Sequence, residues 1–331
     1  MTALQPSPIH IARQQTEDWP LSQPFVISRG SKRFARVVVV ELVSGCNTGR
    51  GEAVPYARYG QTPEATLATL QEQLPLTRNA LQRTLPPNAA RNALDCALWD
   101  LESKQGQLRC HELAGTKEPA AVETCFTISL DTASAMAEQA CAHPMLSLLK
   151  LKLGGEDNED ATRMRAIRRA RPDARLVADA NEAWRPNDLP RLFDTAYEAG
   201  LELIEQPLPV GEDSLLASID RPVPICADES AHTAADLEAL RNRYDAVNIK
   251  LDKTGGLTEA LAMKARAQTL GFKIMIGSMV ATSLAIAPAM LLTPDADWVD
   301  LDGPLLLTRD REGGLDIQDG WITPSPPEFW G

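Results

Sequence analysis

Histidine is scarce in this chain, with residues only at 10, 111, 143 and 232, and none stands in H-x-H or H-E-x-x-H spacing. That removes the usual zinc-ligand patterns and argues against a histidine-built hydrolase centre. The six cysteines (46, 96, 110, 125, 141 and 226) form no C-x-x-C pair, so they read as reduced core residues. Aromatic residues are few, at 5%, which disfavours an aromatic-lined cleft for binding sugar or peptide without chemistry. No apolar run approaches ~18 residues, so no membrane span is expected. The opening MTALQPSPIHIARQQTEDW lacks the basic start and apolar core of a secretion signal, and the cytoplasm is the expected compartment. Positive charge is also in deficit. Lys+Arg total 33 against 45 for Asp+Glu, a net charge of −12 that disfavours nucleic acid or anionic membrane as a partner. Solubility alone accounts for the acidity.

What is present is a chain of 331 residues, long enough for a barrel and a smaller unit, with an ordinary hydrophobic content of 44%. Residues 21 to 56 alternate turn signals with β-rich runs (Phe25 to Ile27, Arg36 to Val43, Gly49 to Ala53), which predicts an antiparallel meander. Thr62-Pro63-Glu64 opens a helix, and Asn88 to Lys104 carries Ala93, Cys96, Ala97 and Leu101 at helical spacing. Together these predict an α+β unit over residues 1–118. From Ala121 short β-rich and helical runs alternate. The strand candidates are Glu123 to Leu130, Leu148 to Leu153, Arg175 to Ala180, Leu201 to Gln206, Pro224 to Asp228, Ala246 to Leu251, Lys273 to Met279 and Trp298 to Asp302. Eight strands with helices in the seven gaps fit a parallel barrel over 119–303 better than an open doubly wound sheet. The tail from about 304 to 331 is expected to pack back on the first unit.

Charge sits at the strand ends. In Leu148-Leu149-Lys150-Leu151-Lys152-Leu153, alternation puts Lys150 and Lys152 on one face and Leu149, Leu151 and Leu153 on the other. Inside a barrel both lysines would be desolvated, which lowers a lysine pKa and makes a usable base. The next strands end in Asp179, Glu205, Asp228 and Lys250. Three carboxylates on consecutive strands, at the barrel end where chemistry gathers, make a hard oxygen site suited to Mg²⁺. Lys150 and Lys152 precede this cluster and Lys250 follows it, so on a closed circle they oppose each other across the cation. The pairs Gly154-Gly155 and Gly255-Gly256 match no phosphate-loop pattern and read as tight strand-to-helix turns.

These residues resemble the enolase superfamily. K-x-K at 150 to 152, DANEAW from Asp179, EQP from Glu205, ADES from Asp228 and NIKLDKTGG from Asn248 occur in the order of its muconate-lactonizing subgroup. The resemblance covers nearly the whole chain and implies a modified (β/α)₇β barrel whose mouth is capped by the α+β domain. It implies that Asp179, Glu205 and Asp228 hold Mg²⁺, that Lys152 and Lys250 are the opposed acid/base pair, and that Lys150 helps neutralise a substrate carboxylate. Asp300-Leu301-Asp302-Gly303-Pro304 is similar to the D-x-D of the dipeptide epimerases, where the two acids would clamp an α-ammonium. Arg29 in FVISRGSK resembles a cap-loop arginine that meets a substrate side-chain carboxylate, and Thr127 in CFTISL resembles a first-strand substrate contact. The implied activity is epimerisation of the C-terminal residue of a dipeptide, with L-Ala-D/L-Glu from cell-wall (murein) turnover expected, by two-base 1,1-proton transfer through an enediolate. The alternatives on the same scaffold are o-succinylbenzoate synthase, muconate cycloisomerase and N-acylamino acid racemase. The first two substrates lack an α-ammonium, so D-x-D speaks against them. A homo-oligomer is left open.

Overall fold

The computed structural model describes residues 7–331. The chain begins with three antiparallel strands, β1 (His10–Ile27), β2 (Gly30–Ser44) and β3 (Asn47–Ala53), in the order β1-β2-β3. The meander starts earlier than residue 21, because the first half of β1 is a largely polar edge strand whose side chains give no apolar alternation. The central β2 reads as a continuous Val37-Val38-Val39-Val40 run because both of its faces are covered. Val38, Val40 and Leu42 pack on the cap's own helices, whereas Val37 and Val39 join the core shared with the barrel.

Four helices complete the cap: α1 (Pro63–Leu70), α2 (Arg78–Thr84), α3 (Ala89–Gly106) and α4 (Cys110–Ala114). Thr62 caps α1 by accepting from the Ala65 N–H, and Asn88 caps α3 by accepting from the Arg91 N–H at 2.9 Å. Helix α3 is pressed onto β3 at backbone distance. A Cβ on Gly51 would lie 2.0 Å from the Ala93 carbonyl oxygen, so only glycine permits this approach.

The chain then forms β4 (Val122–Glu123) and enters the barrel: β5 (Phe126–Ile128), α5 (Ala133–Ala142), β6 (Leu148–Lys152), α6 (Asp160–Ala170), β7 (Arg175–Asp179), α7 (Leu189–Glu198) and β8 (Leu201–Glu205). It continues as β9 (Ile225–Ala227), α8 (Leu237–Leu240), β10 (Ala246–Lys250), α9 (Leu251–Thr254), α10 (Leu257–Leu270), β11 (Lys273–Gly277), α11 (Ser283–Ala289) and β12 (Trp298–Asp300). Strands β5 to β12 form one eight-stranded parallel sheet in chain order. The Cys125 N–H donates to the Val299 carbonyl at 2.8 Å, which joins the first strand to the last and closes the barrel.

The helix expected in every gap is missing between β8 and β9, where only a 3₁₀ turn at Asp213–Ala217 forms. Pro207 and Pro209 at its start and Pro222 and Pro224 at its end confine any helix in that connection to the stretch 210–221. Gly255-Gly256 is a tight turn, with φ of +69° and +118°, but it joins helix α9 to helix α10 and not a strand to a helix, because the chain already coils for one turn after β10.

The tail divides its contacts. Strands β13 (Asp316–Gln318) and β14 (Trp321–Thr323) pair with β4 beside the amino end of β5, so this part serves the barrel. Other tail residues reach the cap: Arg311 binds Glu17 and Glu52, each at 2.7 Å, and Trp330 donates to the Arg50 carbonyl at 3.1 Å. Cys96, Cys110, Cys125 and Cys226 are buried thiols as expected, but Cys46 and Cys141 are exposed, on a hairpin turn and near the end of α5. No helix among the described residues is long and apolar enough to cross a membrane.

Candidate active site

Alternation along the strands delivers the ionisable side chains to the barrel interior at its carboxyl end. Leu149, Leu151 and Leu153 lie in the core between strands and helices, which leaves Lys150 and Lys152 pointing inward as the pattern predicted. Asp179, Glu205 and Asp228, from β7, β8 and the end of β9, are all buried and offer oxygen atoms within 4.8 Å of one another. Glu205 Oε2 makes no hydrogen bond, although Lys150 Nζ stands 2.5 Å away. An all-oxygen, triply acidic, buried set fits a hard divalent cation.

The lysines stand on both sides of this set. Lys152 Nζ is 2.6 Å from Asp179 Oδ2 on one side, and Lys250 Nζ is 2.7 Å from Asp228 Oδ2 on the other. Lys150 lies deeper, fully buried, 2.6 Å from Asp300 Oδ2 and 3.5 Å from Asp179 Oδ2. The lowering expected for Lys150 from burial is reversed, and Lys250 is raised as well. Burial lowers Lys150, but Asp300, Glu205 and Asp179 outweigh it and hold it well above its ordinary value. Burial likewise lowers Lys250, and Asp228 and Glu205 reverse that. The reasoning from desolvation omitted the counter-charges that the same strands bring in. Among the carboxylates, burial raises Asp179, but Lys152 and Lys150 draw it down to about 2. Glu205 is pushed up to about 7 by burial and by its neighbour Asp179.

Asp300 ends β12 and Asp302 follows it, and both carboxylates reach the same pocket as Lys152 and Lys250. Asp302 accepts from the Thr127 backbone N–H at 2.7 Å, so Thr127 touches the acid pair through its main chain. Asp300 Oδ1 has no partner, and burial together with Asp300 raises Asp302 to about 7. Asp300 is paired through Oδ2 with Lys150, whereas Asp302 has no ion-pair partner among the described residues.

The cap closes the mouth. Phe25, Ile27, Arg29 and Lys32 from the β1–β2 hairpin, with Tyr56 and Tyr59 after β3, form the outer wall of the pocket. Arg29 is there, as the sequence suggested, but its guanidinium is engaged. Nη1 donates to the Asn181 carbonyl at 2.7 Å and to Glu182 at 3.0 Å, and Nη2 pairs with Glu229 at 2.7 Å.

Several residues escaped the sequence reading. Lys253 is buried against Asp228 at 2.6 Å, and Asn248 donates to Glu205 Oε1 at 2.7 Å. Asn248 was findable, since it stands two residues before Lys250 on the same strand face. Lys32, Tyr56 and Tyr59 carried no such signal, because only docking of the cap brings them to the barrel.

Comparison with known proteins agrees with this geometry. Residues 10–115 match the sequence family described as mandelate racemase / muconate lactonizing enzyme, N-terminal domain, and residues 131–327 match enolase C-terminal domain-like. The chain is 46% identical over 311 residues to an L-Ala-D/L-Glu epimerase of Escherichia coli K12, covering 92% of this chain and 96% of that one. It is 43% identical over 302 residues to an N-acetyl-D-glutamate racemase of a Pseudoalteromonas species, covering 89% and 95%. A crystal structure of an enolase family member from Agrobacterium tumefaciens, with homology to dipeptide epimerases and with sodium and L-Ala-L-Glu bound, superposes with a TM-score of 0.94 at 46% identity, covering 98% of this chain and 100% of that one. Domain matches on both sides of the cap–barrel connection, together with relatives of this similarity over nearly the whole length, establish that the chain belongs to the mandelate racemase/muconate lactonizing enzyme family of the enolase superfamily.

Proposed function

We propose that the chain is a Mg²⁺-dependent dipeptide epimerase acting on the C-terminal residue of L-Ala-D/L-Glu. The observation that carries this reading is the pocket in which Lys152 and Lys250 flank the acidic triad from opposite sides while Asp300 and Asp302 face the same space. In this reading Asp179, Glu205 and Asp228 hold the ion. The ion supplies positive charge that makes an α-proton beside a carboxylate acidic enough to remove, and by occupying the carboxylates it relieves the lysines of their counter-charges. Lys152 or Lys250 takes the α-proton from one face and the other returns a proton to the opposite face. Lys150 balances the substrate carboxylate from below. Asp300 and Asp302 take the α-ammonium, and Thr127 fixes Asp302 in place. The reading carries with it a cytoplasmic role, with peptides from cell-wall turnover as the source of substrate.

A second reading, racemisation of an N-acylated amino acid, is favoured by the 43% identity to the N-acetyl-D-glutamate racemase. The two differ in whether the acid pair meets a cation or a neutral amide. Incubation with L-Ala-L-Glu or with N-acetyl-L-glutamate in D₂O, read by mass gain and chiral separation, distinguishes them. Epimerisation of the free dipeptide, lost on EDTA dialysis and restored by Mg²⁺, is the expected result. Turnover of the N-acetyl compound alone would replace the dipeptide reading, and full activity after exhaustive chelation would remove the metal from it.

A further inference from the structure

Lys250 ends β10, and the residues after it coil at once into α9, whose single turn is too short to hold its shape alone. The aim of the Lys250 ammonium therefore depends on what grips that turn. On the barrel side Lys253 reaches back to the Asn248 carbonyl at 2.8 Å. On the other side the grip comes from the cap. Arg91, buried on α3, donates through Nη2 to the Thr254 carbonyl at 2.6 Å, through Nε to the Gly255 carbonyl at 3.0 Å and through Nη1 to the Leu85 carbonyl at 3.1 Å.

A buried guanidinium gives up its hydration, and this one replaces it with main-chain carbonyls, forming no ion pair among the described residues. Two of those carbonyls end α9, where a helix leaves its acceptors unmet. The neighbours of Arg91 on α3 hold the same stretch. Asn92 donates to Asp252 at 2.8 Å, and Asp95 accepts from the Thr258 N–H at 2.9 Å and from its hydroxyl at 2.6 Å. The fit leaves no room for side chains on the turn: a Cβ on Gly255 would lie 2.7 Å from Arg91 Nε, and one on Gly256 would lie 2.5 Å from Asp95 Oδ2. The segment after Lys152 is held from within the barrel instead, where Asp160 on α6 accepts from the Gly154 N–H at 2.7 Å.

We propose that Arg91 is a positioning residue for one base only: by gripping the carbonyls that end the turn after Lys250, it aims that lysine and leaves Lys152 unaffected. Arg91 does not line the pocket, so it acts through Lys250 and not on the substrate. The inference rests on the two-base epimerase reading and adds the cap helix to its machinery. With Lys250 misaimed, Lys152 still takes the α-proton it faces. Its ammonium then exchanges with solvent and returns a deuteron to the same face, because the opposite face has no well-placed donor. The other epimer, whose α-proton faces Lys250, is not deprotonated efficiently.

The test follows exchange and inversion of L-Ala-L-Glu and L-Ala-D-Glu separately in D₂O with Mg²⁺, by mass gain and chiral separation. In Arg91→Met one epimer should lose its α-proton within about 3-fold of the wild-type rate, while loss from the other and inversion in both directions fall about 100-fold, the scale of a misplaced catalytic group. Arg91→Lys keeps the charge without the fork and should show the same asymmetry at about 10-fold. A general loosening of the fold would slow both epimers alike. Equal slowing, or none, in variants whose circular dichroism matches the wild type overturns the assignment and leaves the epimerase reading intact. Failure of both variants to fold overturns it too, by making Arg91 a structural residue. A wild type that inverts neither dipeptide overturns that reading itself and this inference with it.

Discussion

The two ends of the barrel are built by the same strands and share no chemistry. Toward the amino end, Cys125, Leu148, Val177, Leu203, Cys226, Ala246, Met275 and Trp298 pack as a buried apolar cluster drawn from the eight strands or the residue leading into them. Two residues further along, on the same inward face, stand Thr127, Lys150, Asp179, Glu205, Asp228, Asn248, Gly277 and Asp300. A displacement of one pleat repeat converts a dry floor into a layer of buried charge. The floor supplies apolar burial, which stabilises wherever it is placed. The upper layer costs desolvation that its ion pairs offset only in the right geometry, so such residues are to be explained by what they do.

The largest expected effect is at the mouth. Lys152→Ala and Lys250→Ala should each lower epimerisation in both directions by about 10,000-fold, since inversion needs a donor and an acceptor. Both should stay folded, because Asp228 retains Lys253 at 2.6 Å when Lys250 is removed and Asp179 retains Lys150 at 3.5 Å when Lys152 is removed. In D₂O any residual α-proton exchange should select opposite epimers in the two variants. Exchange of the same epimer by both would break the assignment of one lysine to each face.

The floor should answer in the reverse sense. Leu203→Ala is expected to cost about 3 kcal/mol of stability by opening a cavity in a fully buried layer, as measured by urea unfolding. At a temperature where it stays folded, its kcat/KM should match the wild type. A large loss of kcat/KM in the folded variant would show that the two layers are mechanically coupled and would dissolve the contrast.

The smallest effect lies between the layers and the cap. Asp252, two residues past Lys250, is buried and accepts on one oxygen from the Val54 N–H and from Asn92 Nδ2, both at 2.8 Å. Burial raises it from 3.8 to about 6, so the stability it contributes is complete below its unfolded value and is lost as pH rises through 6. The loss amounts to at most about 3 kcal/mol, from a shift of about 2 pH units. Asp252→Asn keeps the oxygen that accepts both bonds and cannot ionise. Its melting temperature should therefore fall less than the wild type's between pH 4 and pH 7. Parallel profiles would show that Asp252 is ionised without penalty.

How much of this was readable from residues alone follows from the same contrast. Period-two alternation carries the sense of facing inward, so Lys150, Lys152, Asp179, Glu205 and Asp300 could be placed without coordinates. Their order on consecutive strands also gave the opposed lysines. The ionisation of Lys150 was misjudged because burial was weighed without its partners, which lie on other strands. The cap was harder. The polar half of β1 has no apolar period, and Lys32 becomes visible only once β2 is registered against β1 and the hairpin is laid over the mouth. Arg29 lines the pocket, yet its engagement by Glu182 and Glu229 depends on contacts 153 and 200 positions away in the chain.

The glycine contact between β3 and α3 sets limits on how this enzyme can diverge. A side chain at Gly51 would push α3 outward, and α3 carries Asn92, whose amide grips Asp252 in the turn after Lys250. Variation there reaches the barrel chemistry through the helix, whatever the substrate. At the hairpin tip beside Lys32 the packing is open, and a Cβ on Gly30 would meet nothing within 4 Å. New side-chain preferences are therefore expected to arise at the tip while the seam beneath it stays fixed, so that the cap evolves as a variable edge on an invariant hinge plate.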